Sequence, residues 1–124
     1  MIKKILLTFL MVFLLAGVSL ADTVTIRWAD IIDTSGFDTI RVYQSTDDGS
    51  TWTQVNEVDA GLITASHDIP TDAQCYKWYV AAYSTFYGTT GNRSNEAGAC
   101  KEADGSISYP TLPTPQIMEV TITP

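Results

Sequence analysis

At 124 residues the chain has the size of one domain, and its 14 acidic against 7 basic residues give a net charge of −7. Such a surface repels phosphate backbones and anionic lipid headgroups, which argues against a nucleic-acid partner and against charge-driven membrane association.

The first element is not part of the folded domain. Lys3 and Lys4 precede an apolar run from Ile5 to Val18, and Ser19-Leu20-Ala21 supplies small residues at the positions a signal peptidase reads. The run is shorter than the about 20 apolar residues that span a bilayer. Residues 1–21 therefore read as a secretory signal peptide, and the chain as secreted, periplasmic or extracellular, with no membrane association after cleavage. Cleavage removes two lysines and no acid, which makes the mature charge still more negative.

Strand signals fill the rest of the chain. Val24, Ile26 and Trp28 alternate with Thr25 and Arg27, and Ile40 and Val42 alternate with Arg41 and Tyr43. A turn at Asp47-Asp48-Gly49-Ser50 leads into Trp52-Thr53-Gln54-Val55. Ile63, Ala65 and Ile69 mark a fourth strand ended by Pro70. Tyr76, Trp78, Val80 and Ala82 share a face in the fifth. Residues 84–93, rich in Gly, Thr and Asn, read as a loop before a sixth strand over about 95–101. Ala103-Asp104-Gly105-Ser106 reads as the start of a flexible linker over 103–116, stiffened by Pro110, Pro113 and Pro115. Residues 117–124 read as a last strand, Ile117 to Thr123 being rich in β-branched residues. Short strands at this spacing predict an all-β, two-sheet antiparallel β-sandwich over residues 22–102.

Cys75 and Cys100 are the two cysteines of the chain. In an oxidising compartment an even count predicts a disulfide. The midpoint between them falls in the Tyr87-Gly88 region, so a hairpin of the fifth and sixth strands would set them opposite each other.

Residues 22–101 resemble a fibronectin type III domain, an immunoglobulin-like sandwich. Trp28 stands where that family buries a tryptophan in strand B. Ile40-Arg41-Val42-Tyr43 resembles strand C, Ile69-Pro70 with Tyr76, Val80 and Ala82 resembles the E–F corner and strand F, and Ser94-Asn95-Glu96 resembles the start of strand G. The resemblance implies that the Tyr76 hydroxyl bonds back to the main chain at the corner. The family's strand A is missing from the front, and Pro113 to Thr121 looks like it at the other end. Three readings follow: the last strand docks on its own strand B as a circular permutant, it fills the edge of the next molecule, or it is a tail.

Ser45-Thr46-Asp47-Asp48-Gly49-Ser50-Thr51-Trp52 fits S-x-D-x-G-x-T-W and resembles the Asp-box of sialidases and other secreted β proteins. One copy implies a structural hairpin: Asp47 caps backbone donors, Gly49 takes a positive φ, and Trp52 packs over the turn. Binding candidates are Phe86 and Tyr87 in the loop between the fifth and sixth strands, and an outward face of Tyr43, Tyr79 and Tyr83 with Arg41. No catalytic set is predicted. His67 is the one histidine, no zinc or EF-hand spacing exists, and Asp30/Asp33 and Asp47/Asp48 sit where turns favour Asp. No cofactor and no metal is expected. The expected function is a non-catalytic binding or adhesion-type module with a protein or carbohydrate partner at the cell exterior. The alternatives are a structural subunit self-associating through its C-terminal strand and a carbohydrate-associated protein.

Overall fold

The computed structural model describes residues 21–28, 34–109 and 117–123. The expected signal peptide up to Leu20, the Asp30/Asp33 pair and Pro110, Pro113 and Pro115 lie outside the described residues. The strands are β1 (Asp22–Trp28), β2 (Thr39–Ser45), β3 (Thr53–Asp59), β4 (Thr64–Ile69), β5 (Gln74–Ser84), β6 (Thr89–Arg93), β7 (Ala97–Lys101), β8 (Ile107–Ser108) and β9 (Ile117–Thr123).

They form two antiparallel sheets, one ordered β4-β1-β9 and one ordered β3-β2-β5-β7-β8, with β6 pairing the far half of β5. The expected all-β sandwich is the fold of the chain. Alternation sets its inside: Val24, Ile26 and Trp28 from β1 meet Ile40 and Val42 from β2 and Tyr76, Trp78, Val80 and Ala82 from β5, all buried. The last strand pairs with β1 of the same chain, from Thr23↔Thr123 to Trp28↔Ile117, and it buries Ile117 and Ile122.

Polar contacts stitch the sheets together at their margins. Gln44 Oε1 accepts from Trp78 Nε1 and from His67 Nε2, each at 2.9 Å, which joins β2 and β5 to β4. Asn56 Nδ2 donates to the Ser66 carbonyl at 2.7 Å, from β3 to β4. At the opposite margin Lys101 Nζ donates to Asp22 Oδ2, from β7 to β1, with both side chains almost wholly buried. Two amides of β9 meet side chains: Ile117 N donates to Asn95 Oδ1 at 2.9 Å and Ile122 N to the Tyr109 hydroxyl at 3.2 Å.

Three local expectations change. The predicted loop 84–93 contracts to a turn at 85–88, and Thr89–Arg93 is strand β6. Its Thr-Thr-Gly-Asn sequence dilutes two β-branched residues with Gly and Asn and has no apolar alternation, and pairing to the 11-residue β5 imposes the extended form. Residues 103–106, read as flexible linker, are the turn of a hairpin that brings β8 onto β7. Glu102 N donates to the Ser106 carbonyl at 2.8 Å, and Asp104 Oδ1 accepts from Ser106 N at 2.9 Å. The Tyr76 hydroxyl does not make the corner hydrogen bond: it is buried and has no partner among the described residues. The ring is held instead by stacking on Trp78, at 5.6 Å between centroids and 11° between planes. The cysteines meet as expected. Cys75 and Cys100 are directly opposite on β5 and β7 and are joined by a disulfide.

Candidate binding surface

The turn after β5 is fixed from three directions. Gly88 N donates to the Ser84 carbonyl at 2.8 Å, with Gly88 at φ 65°, and Tyr87 N donates to Ser84 Oγ at 3.2 Å. From the segment before β2, the Asp38 carboxylate accepts the Thr85 amide at 2.8 Å and the Thr85 hydroxyl. These hydrogen bonds, the hydroxyl's first, hold the Asp38 carboxyl below its usual range. The Asp38 backbone binds both neighbours as well: its amide donates to the Tyr83 carbonyl at 3.2 Å, and its carbonyl accepts from Ala60 N at 3.1 Å. One residue thus ties together the loops before β2, after β3 and after β5.

The turn so braced presents its two aromatic residues to solvent. Phe86 is 85% and Tyr87 74% exposed, with ring centroids 4.8 Å apart and planes at 83°. Leu62, 50% exposed, belongs to the loop after β3 that Asp38 anchors through Ala60. Burying an exposed Phe or Leu side chain is worth about 1.5–3 kcal/mol. Holding the side chains on a rigid turn in advance spares part of the ordering cost of association. Phe86 and Tyr87 were candidates from sequence, whereas Asp38 and Leu62 were not. Nothing local marks Asp38, because its partners lie in segments distant in sequence.

The outward tyrosines are placed differently. Tyr43 and Tyr79 stack on each other at 4.9 Å and 22°, and Trp52 meets Tyr79 edge-on at 4.6 Å. The Arg93 guanidinium lies 3.9 Å from the centre of the Tyr79 ring and is paired to Glu96 at 2.9 Å. Arg41 lies 3.3 Å from the centre of the Tyr83 ring and is paired to Glu57 at 2.5 Å. Tyr43, Tyr79 and Tyr83 are thus half-buried, with ring faces occupied by neighbours. They form a cross-strand cation–aromatic ladder and not a flat platform.

The S-x-D-x-G-x-T-W segment makes the tight hairpin its sequence implies. Asp47 Oδ1 accepts Thr51 N at 2.8 Å and Oδ2 accepts the Thr51 hydroxyl at 2.5 Å, while Ser45 Oγ donates to Asp47 Oδ1 at 2.7 Å. These bonds lower the Asp47 carboxyl to about 2, the Thr51 hydroxyl contributing most. Asp48 and Gly49 take φ of 60° and 88°, the paired positive values of a type I′ turn, and Trp52 lies against Gly49. A groove of about 510 Å³ lies between this turn and the disulfide, with Asp47, Asp48, Lys77 and Gly98 in its lining. His67 is half-buried on the inward row of β4: Nε2 donates to Gln44 Oε1, and Nδ1 is buried without a partner among the described residues.

Comparison with protein-family models, with curated proteins and with solved structures finds no match in any of the three, so the functional reading rests on the geometry of the loop end itself.

Proposed function

We propose that the chain is an exported, non-catalytic binding module of fibronectin type III-like build that engages a partner at the cell exterior through its Asp38-braced loop end. The observation that carries this reading is the pair Phe86 and Tyr87, large aromatic side chains exposed on a turn whose backbone is held by hydrogen bonds. Rigid exposed aromatics are the usual anchors of interfaces. The two rings stand at 83° and do not make one common flat platform for sugar rings, which favours a protein partner over a carbohydrate.

The strand order supports the build. β4-β1-β9 corresponds to E-B-A, and β3-β2-β5-β7 to C′-C-F-G, with the family's first strand supplied by the chain's last. A disulfide-bonded sandwich is compatible with an extracellular location. N-terminal sequencing of secreted protein is expected to begin at Asp22. Pairing of β9 with β1 of its own chain, and the side-chain contacts to Ile117 N and Ile122 N, favour a self-contained module over a subunit joined by strand donation.

The test is binding of fluorescently labelled protein to intact cells of the producing organism and, separately, to a glycan array. Loss of two anchor side chains of this kind typically costs about 2 kcal/mol or more, roughly 30-fold in affinity. Phe86→Ala/Tyr87→Ala is therefore expected to lower cell binding at least tenfold with an unchanged circular dichroism spectrum. Undiminished cell binding by the double variant would overturn the assignment of the surface. Array binding that survives the change would move the function to a carbohydrate site elsewhere.

A further inference from the structure

At the margin where β1 and β7 end, Lys101 and Asp22 face each other from opposite sheets. Both point inward: Asp22 continues the buried row of Val24 and Ile26, and Lys101 continues that of Ala97 and Ala99. Their side chains are 10% and 6% exposed, and Nζ is in direct contact with Oδ2. Ile69, the register partner of Asp22, is buried, as is Ala99 beside Lys101. Among the described residues the ammonium, with its three donors, makes this one hydrogen bond, and the carboxylate accepts only this one from a side chain.

An ion pair so poorly supplied with further partners is an expensive way to fill an interior. Each charge loses several kcal/mol of hydration, and one contact repays little of it. One proton passed along the Nζ–Oδ2 contact turns this pair into an amine against a carboxylic acid. These are the reactants of amide formation. Two strands hold them at effective concentrations that reach about 10⁵–10⁸ M in well-oriented intramolecular reactions.

We propose that Lys101 and Asp22 condense into an intramolecular amide that joins the two sheets covalently. The Nζ lone pair attacks Asp22 Cγ, the Cγ–O bond to the protonated oxygen breaks, and a proton from nitrogen leaves with that oxygen as water. The ammonium and carboxylate together supply every atom, and no oxidant or co-reactant is consumed. The product replaces two buried charges by one N–H and one carbonyl.

The test is mass spectrometry of the purified full chain, reduced and denatured, with its N-terminus established by sequencing. A species one water lighter than its sequence is expected. Its tryptic digest should contain the peptide bearing Asp22 joined to that bearing Lys101, with no cleavage after Lys101. A succinimide at Asp48-Gly49 or Asp104-Gly105 also loses water, so the joined peptide decides. Lys101→Arg is expected to restore the full mass. Asp22→Asn is expected to lose ammonia and reach the same mass as the cross-linked wild type. Full mass throughout, with Lys101 open to an amine-reactive reagent in denaturant, overturns the proposal, as does water loss mapped to another site. The wild-type digest decides even if either variant fails to fold.

Discussion

Gly91 shows how much one missing methyl can matter. A Cβ at this position of β6 would stand 2.4–2.9 Å from three ring carbons of Phe37, so the ring lies directly on the glycine. Phe37 in turn packs against the core. Gly91→Ala must push the ring aside, and overpacking of this kind costs about 1–3 kcal/mol. Chemical denaturation should show that loss, and Phe37→Ala in the same chain should relieve part of it, a non-additivity that a double-mutant cycle measures. His67 gives the protein a pH dependence. Burial lowers its imidazole from 6.5, so the unfolded chain takes up the proton first. Its contribution to stability is complete above about pH 6.5 and is lost as pH falls towards the folded value. Thermal melts from pH 7.5 to 5 should show this decline, and His67→Gln, which keeps a donor for Gln44, should flatten it. Asp47 acts lower: with a folded value of about 2 against 3.8, its contribution is present above pH 3.8 and lost below.

Among the elements, those with apolar alternation were legible and those without it were not. Val24-Ile26-Trp28, Ile40-Val42 and Tyr76-Trp78-Val80-Ala82 announce strands because a half-buried sheet needs that period. β6 and β8 carry no such pattern, since they are strands by partnership with β5 and β7. The exposed pair Phe86 and Tyr87 was legible as aromatic residues in a loop. Its brace at Asp38 was not, because three loops converge there only after the sheets have formed. The disulfide belongs to this scale too. It closes a separation of 25 residues across the β5–β7 pair, for which the chain-entropy model gives about 3–4 kcal/mol. Cys75→Ser/Cys100→Ser should lose that much in a denaturant melt while keeping its far-ultraviolet spectrum.

For the whole molecule the decisive element is β9. It lies on the edge of the smaller sheet and supplies Ile117 and Ile122, whose burial is worth about 3–6 kcal/mol together. That is a large part of the 5–15 kcal/mol by which domains are typically stable. A chain ending at residue 109 should therefore fail to give a folded monomer, seen as loss of the sharp size-exclusion peak and of the cooperative melt. The full chain should elute as a monomer across concentrations, with amides of β9 met by Asn95 and Tyr109.

The pairing of β1 with β9 also sets a schedule for folding. Thr23 and Thr123, neighbours in the finished sheet, are separated by 100 residues of chain. During synthesis β1 emerges early and has only β4 to pair with, and its other edge waits until residue 123 is free. Contacts so remote in sequence form slowly, because the entropy of closing the intervening loop is lost before the contact returns anything. The smaller sheet is therefore expected to complete in one late step, and until then one edge of β1 stays open to any strand that reaches it first.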